Sequence, residues 1–125
     1  MKRGLLLFAH GARDLRWAEP FEAVARRIRT AAPSMPVELA FLEFMKPSLD
    51  EAAGRLIGAG CRSVDVVPLF LGTGGHVRKD LPDLMAKLEL QHPRVQLQLH
   101  RAVGEVDEVI EAMARAALRL SEEEP

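Results

Sequence analysis

The chain has 125 residues, which is enough for one domain of ordinary size and too few for two domains with well-buried cores. Apolar residues make up 48% of it and charged residues 28%, the composition of a soluble globular protein rather than a disordered one. The 17 basic and 18 acidic residues nearly cancel, and because a nucleic-acid binder needs a basic excess, we expect no nucleic-acid partner. The single cysteine, Cys61, excludes an internal disulfide and a thiolate metal cluster.

The amino terminus begins like a secretion signal without completing one. Basic residues at positions 2–3 precede the apolar run Leu5–Ala9, but that run stops after five residues at His10, with no small-residue cleavage site. Spanning a bilayer takes roughly 18–20 apolar residues. We therefore expect a cytoplasmic protein without a membrane partner.

Two strand-and-helix pairs are predicted in the first half of the chain. Residues 5–9 form an unbroken apolar run, typical of a strand covered on both faces. Residues 17–28 place apolar side chains on one helical stripe, and residues 37–42 are predicted to form the second strand. The second helix is predicted over residues 47–57, with Pro47 in its first turn.

Two further pairs are predicted in the second half. Residues 64–71 indicate a third strand, in which Pro68 lacks a ladder donor and therefore favours a bulge or the end of the strand. Residues 77–88 carry the apolar stripe of a third helix. Residues 95–99 alternate apolar with polar side chains, which favours a strand near an edge with one wet face. The last helix is predicted to turn six apolar side chains inward: Val106, Val109, Ile110, Met113, Ala117 and Leu120. Residues 121–125 are predicted to form a frayed tail.

This alternation predicts the fold class. Four strands, each followed by a helix through a short connection, imply right-handed crossovers and a parallel sheet. The expected architecture is a single α/β domain over residues 1–125, an open four-stranded parallel sheet with helices on both faces, similar to the flavodoxin and Rossmann folds.

Three polar side chains follow strands of this predicted sheet. His10 comes directly after the first strand, Glu43 after the second, and His76 after the third. Because ligands of open parallel sheets bind beside the carboxyl ends of the strands, these side chains are expected at one edge. Imidazole and carboxylate groups suit Co²⁺, Fe²⁺, Ni²⁺ or Zn²⁺, and they also accept protons near neutral pH.

Phosphate chemistry is a competing interpretation of the same loops. The glycine-rich segment 72–75 precedes a helix, where backbone N–H groups can hold phosphate, but it matches neither the dinucleotide pattern nor the phosphate loop. The pair His10-Gly11 is similar to the start of the histidine phosphatases, yet Ala9 stands where their phosphate-binding arginine would be. A phosphate-ester enzyme is therefore an alternative with less support.

The chain resembles the small sirohydrochlorin chelatases. The resemblance is carried by four blocks, of which the last is the most specific: Leu6–Asp14, Glu38–Glu43, Pro47–Leu49 and Val67–Pro82. It extends from Leu5 to the last helix, nearly the whole chain. Ala9 and Ala12 stand where glycine and serine are more usual around the first histidine, a difference that concerns finer specificity.

The resemblance implies a function for the three polar residues. Members of this family insert Co²⁺ into sirohydrochlorin in cobalamin biosynthesis, and relatives insert Fe²⁺ for sirohaem or Ni²⁺ for another cofactor. His10 and His76 would then bind the incoming metal and accept the two pyrrole protons, with Glu43 assisting. The metal would be a substrate, and no permanent cofactor is expected.

The resemblance also implies how the tetrapyrrole is held. The substrate carries many carboxylates, which Arg13, Arg78 and Lys79 could orient, with Gly74 and Gly75 lining the binding site. Larger chelatases of this fold enclose one cleft with two such domains, so a homodimer is expected. A non-catalytic carrier of metal or tetrapyrrole that uses the same residues stays open as an alternative.

Overall fold

Strands and helices alternate along the described part of the chain, residues 2–72 and 74–124 of a computed structural model; the side chain of His76 lies outside that description. Four strands are present there: β1 (Arg3–Ala9), β2 (Val37–Phe41), β3 (Ser63–Pro68) and β4 (Gln96–Leu99). The helices are α1 (Glu19–Ala31), α2 (Leu49–Gly58), α3 (Gly75–Gln91) and α4 (Asp107–Ser121). Two short 3₁₀ helices, Leu15–Ala18 and Val103–Glu105, lie before α1 and α4.

The strands form one sheet in the order β2-β1-β3-β4, and all neighbouring strands run parallel. The predicted fold class is confirmed. β1 lies between β2 and β3, and its apolar run is fully enclosed, with Leu6, Phe8 and Ala9 at 0% exposure. β4 lies at an edge with Gln96 and Gln98 exposed, as its alternating sequence predicts.

Helices cover both faces of the sheet. On one face, α2 and α3 form the larger core cluster with β1 and β3, through these side chains among others: Leu49, Ala52, Ala53, Leu56, Leu81, Met85, Leu88, Leu6, Phe8, Val64 and Val66. On the other face, Ala25 and Ile28 of α1 pack with Leu7 and Val37. The connections therefore stay short, and the loops after the strands collect at one edge.

The start of α2 is held by a capping box. The backbone N–H of Glu51 donates to the Ser48 hydroxyl at 3.2 Å, and the Ser48 N–H donates to the Glu51 carboxylate at 3.1 Å. This backbone hydrogen bond from Ser48 holds the pKa of Glu51 below its usual range. The stability that the ionised Glu51 carboxylate adds to the fold is therefore present at pH values above the ordinary glutamate pKa. It is lost as the pH falls through the lowered pKa of Glu51. Pro47 lies before the cap, so its predicted place in the first turn was wrong.

β3 ends earlier than its apolar sequence predicts. The strand stops at Pro68, whereas the apolar run continues to Leu71. Val66 bonds toward β4, where its carbonyl accepts from the His100 N–H at 2.9 Å. Pro68 lies two residues after Val66, so its backbone groups are also directed toward β4. Because proline has no N–H to donate, the hydrogen bonds between β3 and β4 cannot continue there.

The inward-facing stripe predicted for α4 was wrong. No residue of α4 is buried, and Ile110 and Met113 are 48% and 42% exposed. The helix contacts mainly the 3₁₀ helix Val103–Glu105, which leads the chain away from the short strand β4. α4 is an amphipathic helix, as its sequence predicts. The periodicity of its apolar residues does not specify which surface they contact. None of the described helices is long and apolar enough to cross a membrane.

Replacing Ser48 by alanine should remove the hydroxyl acceptor of the α2 cap. We expect the free energy of unfolding to fall by about 1 kcal/mol, measured by urea denaturation at neutral pH. Ser34→Ala, in an exposed turn, is the matched control and should change it by less than about 0.5 kcal/mol. Equal effects of the two substitutions would contradict a capping role for Ser48.

Candidate active site

The loops that follow the strands form one edge of the sheet, called here the carboxyl edge: residues 10–14, 42–48, 69–72 and 100–106. The strand order places the loop after β1 between the loops after β2 and β3. After β1 the chain continues to β2 on one side of β1, and after β2 it crosses to β3 on the opposite side of β1. The direction in which strands are added therefore reverses at the carboxyl end of β1. Such a switch point is where open α/β sheets bind their ligands.

His10 lies at this switch point with its ring half-buried. The imidazole packs against the Phe70 ring, with the ring centroids 4.2 Å apart and the planes tilted by 32°. Phe70 is itself buried and follows β3. Within the described residues, no group hydrogen-bonds to the His10 ring nitrogens. Packing therefore fixes the ring while its nitrogens stay available to a ligand or a proton.

The backbone joins His10 to Glu43. The Glu43 N–H donates to the His10 carbonyl at 3.1 Å, and the Leu42 N–H donates to the Ala9 carbonyl at 2.9 Å. Gly11, with φ at +90°, lets the chains approach this closely, because a Cβ there would lie 1.9 Å from the Glu43 carbonyl oxygen. The predicted pair is thus brought together on adjacent loops, with the Glu43 residue exposed.

Two aromatic residues of the site were given no role from the sequence, although Phe44 lies directly after the second predicted strand. Besides Phe70, the structure places Phe44 at the carboxyl edge, 58% exposed and in the left-handed region with φ at +68°. The Arg13 guanidinium carbon lies 4.9 Å from the centroid of the Phe44 ring, a cation–π contact. The signal that could have found both residues is their position directly after an apolar strand core.

The loop after β3 supplies the other side of the carboxyl edge. Gly74 precedes the first residue of α3, Gly75, and a Cβ added at either position would meet nothing within 4 Å. Arg78 and Lys79 follow on α3 and are exposed. The predicted substrate-binding residues on this side therefore border open space.

Arg78 also borders a cavity that the sequence did not indicate. The cavity measures about 250 Å³ and includes His100 and Arg101 of the loop after β4. The His100 Nε2 lies 2.8 Å from the Asp65 Oδ1, so His100 has a carboxylate partner on β3. Arg101 adds a cation that sequence reasoning missed, since nothing in its local pattern marks it.

The second predicted histidine, His76, is in the first turn of α3 by its backbone, beside the same carboxyl edge. Its side chain lies outside the described residues. Among the described residues, His, Cys, Asp and Glu side chains form no group of three or more able to hold a metal ion.

A larger cavity of about 570 Å³ lies elsewhere, beyond the outer edge of β2 between α1 and α2. Its wall includes Arg29, which donates to the Val37 carbonyl at 2.8 Å, and Arg55, which pairs with Glu38 at 3.2 Å. None of the predicted site residues borders it. The convergence of His10, Glu43 and the glycine loop, rather than cavity size, identifies the candidate site.

Comparison with known proteins points to one family. The sequence model of the CbiX family matches residues 4–120. A sirohydrochlorin ferrochelatase of Bacillus subtilis is 29% identical over 114 residues, and a sirohydrochlorin cobaltochelatase of Sulfolobus acidocaldarius is 36% identical over 80 residues. The crystal structure of a cobalamin (vitamin B12) biosynthesis CbiX protein of Marinobacter aquaeolei VT8 superimposes with a TM-score of 0.86 at 33% identity, covering 96% of this chain and 98% of that one.

The matches cover less than two thirds of each of the two relatives named for an activity. The match covers 90% of this chain but 43% of the Bacillus protein, and 64% of this chain but 63% of the Sulfolobus protein. The matched region is thus less than half of the Bacillus protein and less than two thirds of the Sulfolobus protein.

Gly11→Ala should disrupt the contact between the loops after β1 and β2. The added methyl group collides with the Glu43 carbonyl and the positive φ disfavours alanine, so we expect a loss of about 2–4 kcal/mol in unfolding free energy. In Gly54→Ala, the control inside α2, the methyl group meets nothing within 4 Å, and it should gain about 0.5–1 kcal/mol. Thermal and urea unfolding of both variants test the prediction, and an unchanged Gly11→Ala protein would refute the close approach.

Proposed function

The chain belongs to the CbiX family, and on that premise we propose that it inserts a divalent metal ion into sirohydrochlorin. The observation that carries the proposal is the position of His10: at the switch point of the sheet, fixed against Phe70, with its ring nitrogens unengaged among the described residues. The names of the two relatives, a ferrochelatase and a cobaltochelatase of the same substrate, support the reaction class.

The chemistry of metallation fits a histidine in this position. Two pyrrole N–H protons must leave as the ion enters the macrocycle, so a proton acceptor beside the path of the metal removes a kinetic obstacle. We assign this task to His10, with Glu43 on the adjacent loop as a second acceptor and metal ligand. His76, at the start of α3, would be the second imidazole that binds the metal and accepts a proton.

The cations of the carboxyl edge fit a polycarboxylate substrate. Arg13 lies on the β2 side of His10, and Arg78 and Lys79 lie on α3 at the other side. Charge-assisted hydrogen bonds from these side chains would orient the acid groups of sirohydrochlorin. The open space beside Gly74 and Gly75 would let part of the substrate approach the backbone at the start of α3.

Co²⁺ is the metal we propose first, with Fe²⁺ and Ni²⁺ as the alternatives. All three accept imidazole and carboxylate ligands, and their order of affinity is set by the ion more than by these ligand types. The relatives divide between iron and cobalt in their names. The metal is a substrate in this reaction, and the site is expected to release it into the macrocycle.

The reaction is tested by following the absorbance of sirohydrochlorin during addition of Co²⁺, Fe²⁺ or Ni²⁺. We expect the wild type to exceed the uncatalysed rate and His10→Ala and His76→Ala to lower kcat by about a hundredfold or more, since each removes a proton acceptor. His92→Ala is the control, because His92 caps the far end of α3 and should leave the rate unchanged.

The outcomes separate the proposed enzyme from its alternatives. A wild type that binds Co²⁺ or sirohydrochlorin tightly without accelerating their combination would be a carrier. A protein that ignores the tetrapyrrole and binds phosphate analogues would be a phosphate-ester enzyme. Either result would overturn the chelatase assignment.

We also propose that a second copy of the domain packs against α4. The helix carries a continuous apolar stripe of which no residue is buried, an arrangement typical of an interface rather than of a solvated helix. The Bacillus ferrochelatase is more than twice as long as the matched region, which is consistent with two such units around one site.

Ile110→Glu should weaken this self-association by placing a charge in the apolar stripe. We expect the wild type to sediment as a dimer and the variant to shift toward the monomer, with no loss of fold by circular dichroism. Leu118→Glu, outside the predicted stripe and 68% exposed, is the matched control and should remain dimeric. A monomeric wild type would overturn the proposal.

A further inference from the structure

The backbone at Phe44 is in a conformation that its side chain disfavours. A φ of +68° is common for glycine and costly for a residue with a bulky side chain. The strain arises where the chain turns back after β2, between the Glu43 N–H bond to His10 and the Phe41 N–H bond to the Pro47 carbonyl at 2.9 Å. Glycine would satisfy this turn without strain, so the fold itself does not explain a phenylalanine.

The Phe44 side chain also gains little from burial. Its ring is 58% exposed, whereas the buried phenylalanines, Phe8, Phe41 and Phe70, are at most 6% exposed. Its described ring contact is the guanidinium of Arg13. A strained backbone that presents an exposed aromatic ring is the kind of outlier that clusters at ligand sites.

The position of Phe44 in the chain selects the ligand. Phe44 directly follows Glu43, whose N–H is bonded to the His10 carbonyl, so the residue lies on the loop next to His10. The ring offers a flat apolar face, and Arg13 offers a positive charge next to it. A planar macrocycle with carboxylate side chains complements both features, because aromatic faces stack and guanidinium groups pair with carboxylates.

We propose that Phe44 is a substrate-binding residue whose ring packs against the face of the tetrapyrrole, while Arg13 pairs with an acid group at its rim. This inference rests on the proposed chelatase function and adds a contact on the macrocycle itself. Its role is binding: the contact holds the macrocycle at the carboxyl edge and takes no part in proton transfer.

The substitution Phe44→Gly separates this role from a structural one. Glycine adopts the positive φ freely, so the urea midpoint should equal or exceed that of the wild type. The affinity for sirohydrochlorin without metal, measured by absorbance or fluorescence titration, should fall about tenfold, and KM should rise by a similar factor with kcat retained. Phe44→Tyr keeps the ring and should restore both values. Leu90→Ala, which removes an exposed side chain far from the carboxyl edge, should change neither.

Several results would overturn the inference. If the wild type inserts metal and Phe44→Gly has unchanged affinity and KM, the inference fails while the proposed function stands. If neither protein binds or metallates sirohydrochlorin, the proposed function fails first and the inference with it. If Phe44→Gly instead weakens self-association in sedimentation, the ring contacts a second copy and not the tetrapyrrole.

Discussion

Burial of β1 on both faces and along both edges is the constraint on which the rest of the molecule depends. The strand pairs with β2 on one side and β3 on the other, and helices from two layers cover its side chains. Moving its end would break two ladders and two packed layers at once. His10 directly follows this strand, so the best-anchored segment of the fold holds the residue to which we assign the chemistry.

The carboxyl edge combines this rigid support with exposed side chains. Backbone contacts hold the loops together: Glu43 bonds to His10, Gly11 allows the close approach, and the Gly104 N–H donates to the Phe70 carbonyl at 2.9 Å. In these three contacts the backbone, rather than the side chains of His10 and Glu43, connects the loops. A binding surface can therefore be pre-organised without using its own chemical groups to hold itself together.

Much of this arrangement could be predicted from the sequence because it follows from repeating patterns. Alternating strand-like and helix-like periods imply a parallel sheet, and the sheet brings His10 and Glu43 to one edge. Two features could not be predicted in this way. The left-handed turn at Phe44 depends on contacts between two loops that are distant in sequence. The exposure of α4 depends on how the chain leaves β4, since an apolar stripe has the same periodicity whether it meets its own sheet or another molecule.

The outer edge of β2 has a consequence for how copies of this domain can meet. Val37, Leu39 and Phe41 direct their backbone groups away from β1, toward the side where a further strand would pair. The Arg29 side chain already donates to the Val37 carbonyl, and the Phe41 N–H already donates to the Pro47 carbonyl. Leu39 therefore lies between two residues that each have a backbone group already hydrogen-bonded. Strand addition needs a row of consecutive open partners, so this edge resists growth into a continuous intermolecular sheet. The bonds that Val37 and Phe41 make within the fold thus also limit the pairing of a further strand at this edge.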